Sequence, residues 1–334
     1  MNRPALHLAP MADVTDAPMR AMSRRGGADV CATEMVSAEG LVRGSSRTRA
    51  LMARLPEEGP LVVQLYGGDP DSMAAAAELA EAHGGFAGID VNAGCPVPKV
   101  LKCGGGAALL RDPARLGRMV AAMKARTRLP VTVKTRIGPA PGEVAIFDII
   151  HAVEDAGGGG LAVHGRFASA GHAGPVDHDL LRKAVAATRL PVVVNGGVNR
   201  AADALALLRA TGAAGVMVGR GAIGNPGLFG EIAAALDGAP APAEGRSAAA
   251  ALAALKEHLA LAVAFQTRLR RLYPNVVSDD AEARAVASFR LHLFNYFKGM
   301  PGASALRRDM ARCRTVADVI AVASPLAAPR GDAL

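Results

Sequence analysis

Eight short apolar runs punctuate the chain: Leu6–Met11, Val30–Met35, Leu61–Gly67, Gly88–Asn92, Pro130–Thr135, Gly160–Gly165, Pro191–Gly196 and Gly215–Arg220. Their starts lie 24, 31, 27, 42, 30, 31 and 24 residues apart, about the length of one strand–helix unit. Between them, apolar residues recur at helical spacing, as in Leu116, Met119, Val120 and Met123. Eight repeats of strand, loop and helix predict a (β/α)₈ TIM barrel over residues 1–240, an α/β fold whose loops after the strands build an active site. Nearly every run ends at or near a residue suited to chemistry: Met11, Glu34, Gln64, Asn92, Lys134, His164, Asn195 and Arg220. The pattern is that of an enzyme.

Start and stop signals frame the helices. Thr15-Asp16, Asp71-Ser72 and Asp112-Pro113 offer capping oxygens. Gly26-Gly27, Gly84, Gly157 and Gly212 offer helix ends. The rhythm stops at Asp237–Gly245, a Pro/Gly-rich stretch that reads as a linker. Beyond it the pattern predicts a small all-helical domain over 246–324, with helices near Arg246–Arg271, Ala281–Lys298, Ala303–Cys313 and Thr315–Ala323 and a frayed end from Pro325.

Composition sharpens this reading. Half the 334 residues are hydrophobic (51%) but only 3% are aromatic, with no Trp, so Ala, Val and Leu must fill the core. Cys31, Cys95, Cys103 and Cys313 form no CxxC pair or disulfide framework, which suits a reducing compartment. With no basic-then-apolar leader and no apolar run approaching the ~18–20 residues that span a bilayer, a soluble, cytoplasmic protein without membrane attachment is expected. The net charge of +8 is concentrated in the tail, where residues 246–334 hold 13 Lys and Arg against 7 Asp and Glu. A near-neutral body with a basic appendage points to a polyanionic partner, nucleic acid before membrane.

The chemistry clusters at the strand ends. Asn92-Ala93-Gly94-Cys95-Pro96 follows the fourth run; Gly and Pro shape a turn that presents the thiol at the barrel mouth. From the thiol alone, nucleophile and proton donor are both open. Gly104-Gly105-Gly106 either lets a bulky ligand approach the backbone or forms a flexible loop, and Cys103 beside it reads as a bystander. Lys134 with Arg136, and His164 with Arg166, are i,i+2 cation pairs on neighbouring strands. Such pairs share a face and would make the mouth positive, suited to an anionic cofactor. Asn195-Gly196-Gly197 and Gly219-Arg220-Gly221 end the last two runs, the place where barrels commonly hold phosphate. With Gln64 the set suits flavin mononucleotide (FMN). No GxGxxG follows a strand, so no separate dinucleotide domain is expected. No resident metal is expected either.

These residues resemble the tRNA-dihydrouridine synthases, the bacterial B-type branch above others. The likeness runs through Leu8–Asp16, Thr33–Ser37, Ile89–Pro96, Pro130–Arg136, Val163–Arg166, Asn195–Gly197 and Val216–Gly221. Across the linker it continues in Arg290-Leu-His292 and Tyr296-Phe-Lys298-Gly299. It implies FMN held by Pro10, Met11, Ala12, Gln64, Lys134, His164, Asn195, Gly196, Gly197, Gly219 and Arg220. It further implies NADPH or NADH as reductant, hydride passing from reduced FMN to C6 of uracil, and Cys95 protonating C5. Asn92, Arg136 and Arg166 would lie near the base, and the helical domain would bind tRNA through basic residues such as Arg290, Lys298, Arg307 and Arg308. No obligate protein partner is implied. Five positions depart from the family pattern: Asp13 stands for Gly, Gly197 for Asp, and Asn295 for Trp, while His172 and His178 follow Arg166 where aromatics are usual.

Overall fold

The computed structural model describes residues 3–239, 246–276 and 280–327. Most of the expected linker, the expected frayed end beyond Ala327 and the side chain of Arg307 lie outside the described residues. Nine strands form one all-parallel sheet: β1 Ala5–Leu8, β2 Val30–Ala32, β3 Val36–Ser37, β4 Leu61–Tyr66, β5 Gly88–Ala93, β6 Val131–Arg136, β7 Leu161–His164, β8 Val192–Asn195 and β9 Gly215–Val218. Pairing runs from β4 round to β9 and β1, and the β2–β4 ladder closes the circle. This is the (β/α)₈ TIM barrel, with a helical C-terminal region.

The second stave departs from its expected single run. β2 pairs with the start of β4 (Cys31↔Leu61) and β3 with its end (Val36↔Leu65), so Thr33–Met35 interrupt one stave. Thr33 bridges the break, its Oγ1 accepting the Gln64 N–H at 3.0 Å. Alternation then sorts the side chains. Leu61, Val63 and Leu65 on β4, and Val131 and Val133 on β6, are wholly buried in the core cluster that includes helix residues such as Met73, Met119 and Ile150. The intervening Gln64, Thr132 and Lys134 belong to the opposite set, facing the barrel axis.

Asp16 and Asp112 cap their helices as expected, accepting the N–H of Met19 and Arg115. The fourth strand's helix is capped by Asp69 rather than Asp71-Ser72: Pro70 occupies its favoured first position, and Asp69 Oδ2 accepts the Ser72 N–H.

After the barrel come helices Ala248–Leu272, Ala281–Tyr296, Ala303–Met310 and Val316–Ala327. The last continues past Ala323 through Pro325. Leu255, Leu259, Phe289, Leu293, Tyr296 and Val319 form its core. Phe265 and Leu269 pack instead on Ala17, Ala21 and Leu55 of the barrel side. One expectation needs correcting: Ala248–Leu272 is 25 residues long with a window of mean hydropathy 1.5, long and apolar enough by length and composition to cross a membrane. Alanines supply much of that hydropathy, and the leucine-bearing face is spent on these two cores.

Candidate active site

The polar residues at the top of the barrel form two hydrogen-bonded groups, one built on Gln64 and Asn92 and one on Lys134 and Asn195. Gln64 is fully buried. Its Nε2 donates to Asp90 Oδ2 at 2.8 Å, and its Oε1 accepts from Asn92 Nδ2 at 3.0 Å. Thr132 Oγ1 donates to the other Asp90 oxygen at 2.8 Å. A buried amide that must hold one orientation needs such partners. Asp90, Thr132 and Thr33 were not singled out in the sequence. The available signal was Asp90 two residues before Asn92 in an apolar strand, a carboxylate on the lumen face. Burial raises the Asp90 carboxyl above its ordinary range, against the donors from Gln64 and Thr132.

Asn92 shapes the cysteine turn, its Oδ1 accepting the N–H groups of Cys95 at 3.0 Å and Gly94 at 3.2 Å. The Cys95 carbonyl accepts the Ala107 N–H at 2.9 Å, and Arg136 Nε donates to the Gly94 carbonyl at 2.9 Å. The Cys95 side chain is left partly exposed at the mouth, and all four cysteines are free. Cys103 turns away, its Sγ against the Val100 carbonyl.

Gly104–Gly106 are neither an open ligand cradle nor a loose loop. A Cβ on Gly105 would lie 2.7 Å from the Gly67 carbonyl oxygen, and one on Gly106 2.5 Å from the Cys95 carbonyl oxygen. Backbone is pressed on backbone, and this locks the thiol's turn. Gly106 also has φ +59. Gly106→Ala is therefore expected to cost about 1–3 kcal/mol through strain and displacement. Chemical denaturation checks this, and wild-type stability would show that the loop gives way freely.

Lys134 Nζ donates to Asn195 Oδ1 at 3.3 Å, and Asn195 Nδ2 donates to the Met217 carbonyl at 2.8 Å. Burial first, then the charge of Arg136, pulls the Lys134 ammonium down to about 8. Arg136 is buried and also donates to the carbonyls of Gly171 at 2.8 Å and Phe167 at 3.2 Å. Arg166 Nε donates to the Gly174 carbonyl at 2.9 Å, and the exposed Arg220 reaches the His172 carbonyl. Among the described residues, no carboxylate pairs with Lys134, Arg136, Arg166 or Arg220. His164 is not a cation in this company. Burial, then Lys134, Arg136 and Arg166, hold its imidazole far below the ordinary range, so it is neutral.

Gly196 and Gly197 take φ +126 and +76, and a Cβ on Gly196 would sit 3.5 Å from both Arg166 Nη1 and His164 Nε2. The 3₁₀ turn Arg220–Ala222 begins at Gly219, and its first N–H groups have no partner within the turn. Gly219 lies beside Met11, whose sulfur would be 3.5 Å from an added Cβ. Pro10, Met11 and Ala12 border the same opening, Met11 N–H donating to Thr15 Oγ1. On the second stave, Glu34 Oε1 accepts the Asp13 N–H at 2.7 Å. Burial, and then the carboxylates of Asp16 and Asp13, lift the Glu34 carboxyl to about 7. Asp13 itself takes φ +59, a conformation that Asp tolerates and Gly takes freely. Arg290, Lys298 and Arg308 belong to the helical region and do not contact this set; Lys298 and Arg308 are exposed, and Arg290 is partly buried.

The arrangement offers a partly exposed thiol, a half-buried ammonium, a neutral imidazole and glycine turns beside guanidinium groups that no described carboxylate pairs. Its positive charge and free backbone N–H groups suit an anionic ligand, and its thiol is placed where a ligand could meet it. Comparison with known proteins gives the same family as the sequence motifs. A family model described as dihydrouridine synthase matches residues 7–328. A Mycobacterium tuberculosis (strain H37Rv) protein named "Probable tRNA-dihydrouridine synthase" is 36% identical over 321 residues, covering 92% of this chain and 78% of its own. A Synechocystis protein of similar name is 35% identical over 92% of this chain and 82% of its own. The tRNA-dihydrouridine synthase B of Yersinia pestis is 37% identical over 69% of this chain and 71% of its own. Among solved structures, a Pseudomonas geniculata 6-hydroxypseudooxynicotine amine oxidase matches with TM-score 0.52 and 15% identity, over 70% of this chain and 47% of that one. That likeness shows the fold alone.

Proposed function

The chain belongs to the dihydrouridine synthase family, and we propose that it reduces specific tRNA uridines to 5,6-dihydrouridine, with FMN as resident cofactor and NADPH or NADH as reductant. The observation that carries this reading is a mouth in which a partly exposed thiol stands near Lys134 and Arg136, with Arg166 and Arg220 on the following loops, and in which none of these four cations forms an ion pair with a carboxylate among the described residues. Bound FMN would take hydride from the nicotinamide and supply it to C6 of the uracil. Asn195, Gly196, Gly197, Gly219 and Arg220 would hold its phosphate end. Pro10, Met11, Ala12, Gln64, Lys134 and His164 would hold its ring.

The protein's own part is positioning, charge and one proton. Cys95 donates to C5 as hydride reaches C6, so the C5–C6 double bond becomes saturated. Neutral His164 can donate or accept a hydrogen bond without adding charge. Lys134 supplies a positive charge in a dry setting, where it acts strongly on developing negative charge. A uracil inside folded tRNA must leave its stack to reach this mouth, and the basic helical region would hold the RNA by shape and phosphate. Acting on tRNA, the enzyme would work in the cytoplasm.

The test is a purified chain supplied with NADPH and unmodified tRNA, with dihydrouridine mapped by position and the released cofactor identified. Dihydrouridine at defined sites and FMN are expected. FAD, or no flavin after reconstitution, would overturn the cofactor assignment, and reduction of free small substrates without RNA would favour a small-molecule reductase.

Two further outcomes follow. Lys134 loses its charge as pH rises through about 8, while binding an anion favours the charged form. The association constant for FMN should therefore fall by up to about tenfold per pH unit from there up to the pKa of the bound state. Flavin fluorescence quenching across that range measures it. Lys134→Met should flatten the dependence, and a flat wild-type profile would remove Lys134 from the cofactor site. Replacing Lys298 and Arg308 by Ala should weaken tRNA binding and lower its salt slope by up to about one per lost phosphate contact. Unchanged affinity and slope would assign the dock to another surface.

A further inference from the structure

Behind the loop that carries Pro10–Ala12, the barrel and the helical region meet at three metal-type side chains. Asp16 caps the barrel's first helix, while His258 and His292 come from helices Ala248–Leu272 and Ala281–Tyr296. One donor atom from each lies within 4.8 Å of the other two. No local spacing announces the cluster, because Asp16 lies 242 residues ahead of His258, and His292 lies 34 beyond it on the next helix.

The hydrogen bonds fix what these groups present. His292 Nε2 lies 3.1 Å from the Val14 carbonyl, which can only accept, so Nε2 carries the proton and Nδ1 keeps its lone pair. That Nδ1 is buried and has no partner. His258 Nδ1 lies 3.0 Å from the Tyr296 hydroxyl, leaving Nε2 likewise buried and without a partner. The two histidines are 1% and 2% exposed, and their rings are 4.7 Å apart at 63°. Asp16 Oδ1 takes the Met19 N–H, which leaves its second oxygen. Two orphaned ring nitrogens beside a carboxylate are costly as they stand.

We propose that Asp16, His258 and His292 form a site for one divalent transition-metal ion, zinc by its ligand set, that clasps the helical region to the barrel. Two imidazoles and a carboxylate are a recognised zinc donor set, with the fourth position left to water. Burial, ahead of the influence of neighbouring groups, keeps both imidazoles neutral near pH 7, His292 near about 4 and His258 well below its ordinary value, as ligation requires. The Asp16 carboxyl is raised to about 6, burial outweighing the Met19 N–H and Arg20, so a cation would restore its charge. Tetrahedral zinc with bonds near 2.0 Å wants ligand atoms about 3.3 Å apart. The metal would therefore draw the junction closer. The Tyr296 hydroxyl and the Val14 carbonyl would orient the two rings from outside.

The test uses the full-length protein, stripped by a chelator and titrated with zinc against a chromogenic competitor. One equivalent should bind. His258→Gln and His292→Gln should abolish stoichiometric uptake, and Asp16→Asn, which keeps the helix cap, should weaken it. Tyr296→Phe should weaken it by about 10–100-fold. If the histidine variants misfold, the wild-type chain decides by X-ray absorption, whose first shell should hold two imidazoles and a carboxylate. No stoichiometric uptake by the wild-type chain, uptake that survives all three ligand variants, or a thiolate shell would overturn the site. Each readout is independent of the uridine reaction.

Discussion

Cys95→Ala is expected to retain FMN and to let NADPH reduce it, yet to lower reduction of uridine in tRNA by about 10²–10⁴-fold, the usual loss with a general acid. The separation follows from how the turn is built. Asn92 Oδ1, the Ala107 N–H and Arg136 grip the backbone of Gly94 and Cys95, not the thiol. Alanine should therefore leave the turn and the cofactor contacts in place. The proton for C5 is then the one thing missing. Single-turnover kinetics should show normal flavin reduction followed by a stalled second half-reaction. Wild-type turnover on tRNA would move the acid elsewhere, with Cys103 the first residue to test despite its sulfur lying against the Val100 carbonyl. Loss of flavin would show instead that the thiol supports the cofactor.

What the sequence made legible was whatever depends on short-range periodicity. The strand runs fall on β1 to β9 because each alternates between a helix-facing and a lumen-facing set, and the strand-end residues Gln64, Asn92, Lys134, His164 and Asn195 inherit their place from that alternation. Properties that belong to neighbours were less visible. The break at Thr33–Met35 arises from two ladders to different halves of β4. Asp90 matters because it receives both Gln64 and Thr132. His164 looks like half of a cation pair in the chain, but burial, and then the positive charges it joins, keep it neutral. Gly104–Gly106 read as freedom in sequence and serve close packing in space. Asp16, His258 and His292 meet only once two domains have docked.

The same junction yields the largest expected stability effect, at the buried ion pair between Arg20 and Glu58. Both side chains are 1% exposed. Arg20 Nε donates to Glu58 Oε2, Nη1 to the Thr15 carbonyl at 2.8 Å, and Nη2 to the Ala53 carbonyl at 3.0 Å. Glu58 Oε1 also accepts the Leu55 N–H at 2.6 Å. The pair thus ties the loop before the first helix to the segment ahead of β4. Arg20→Met strands a buried carboxylate, and Glu58→Leu strands a buried guanidinium. Each should cost about 3–5 kcal/mol, whereas Arg20→Met with Glu58→Leu should recover much of that loss, because no uncompensated charge remains. Against a total stability of about 5–15 kcal/mol, either single change should shift the denaturation midpoint far. The double-mutant cycle, read by circular dichroism in urea, measures the coupling. Single variants within about 1 kcal/mol of wild type would mean that water reaches the pair. A double variant no better than the singles would place the stabilisation in the carbonyl contacts at Thr15 and Ala53 instead. Thr15 Oγ1 also accepts the Met11 N–H of the Pro10–Ala12 loop, so single variants that still fold should also hold FMN more weakly than the double variant does.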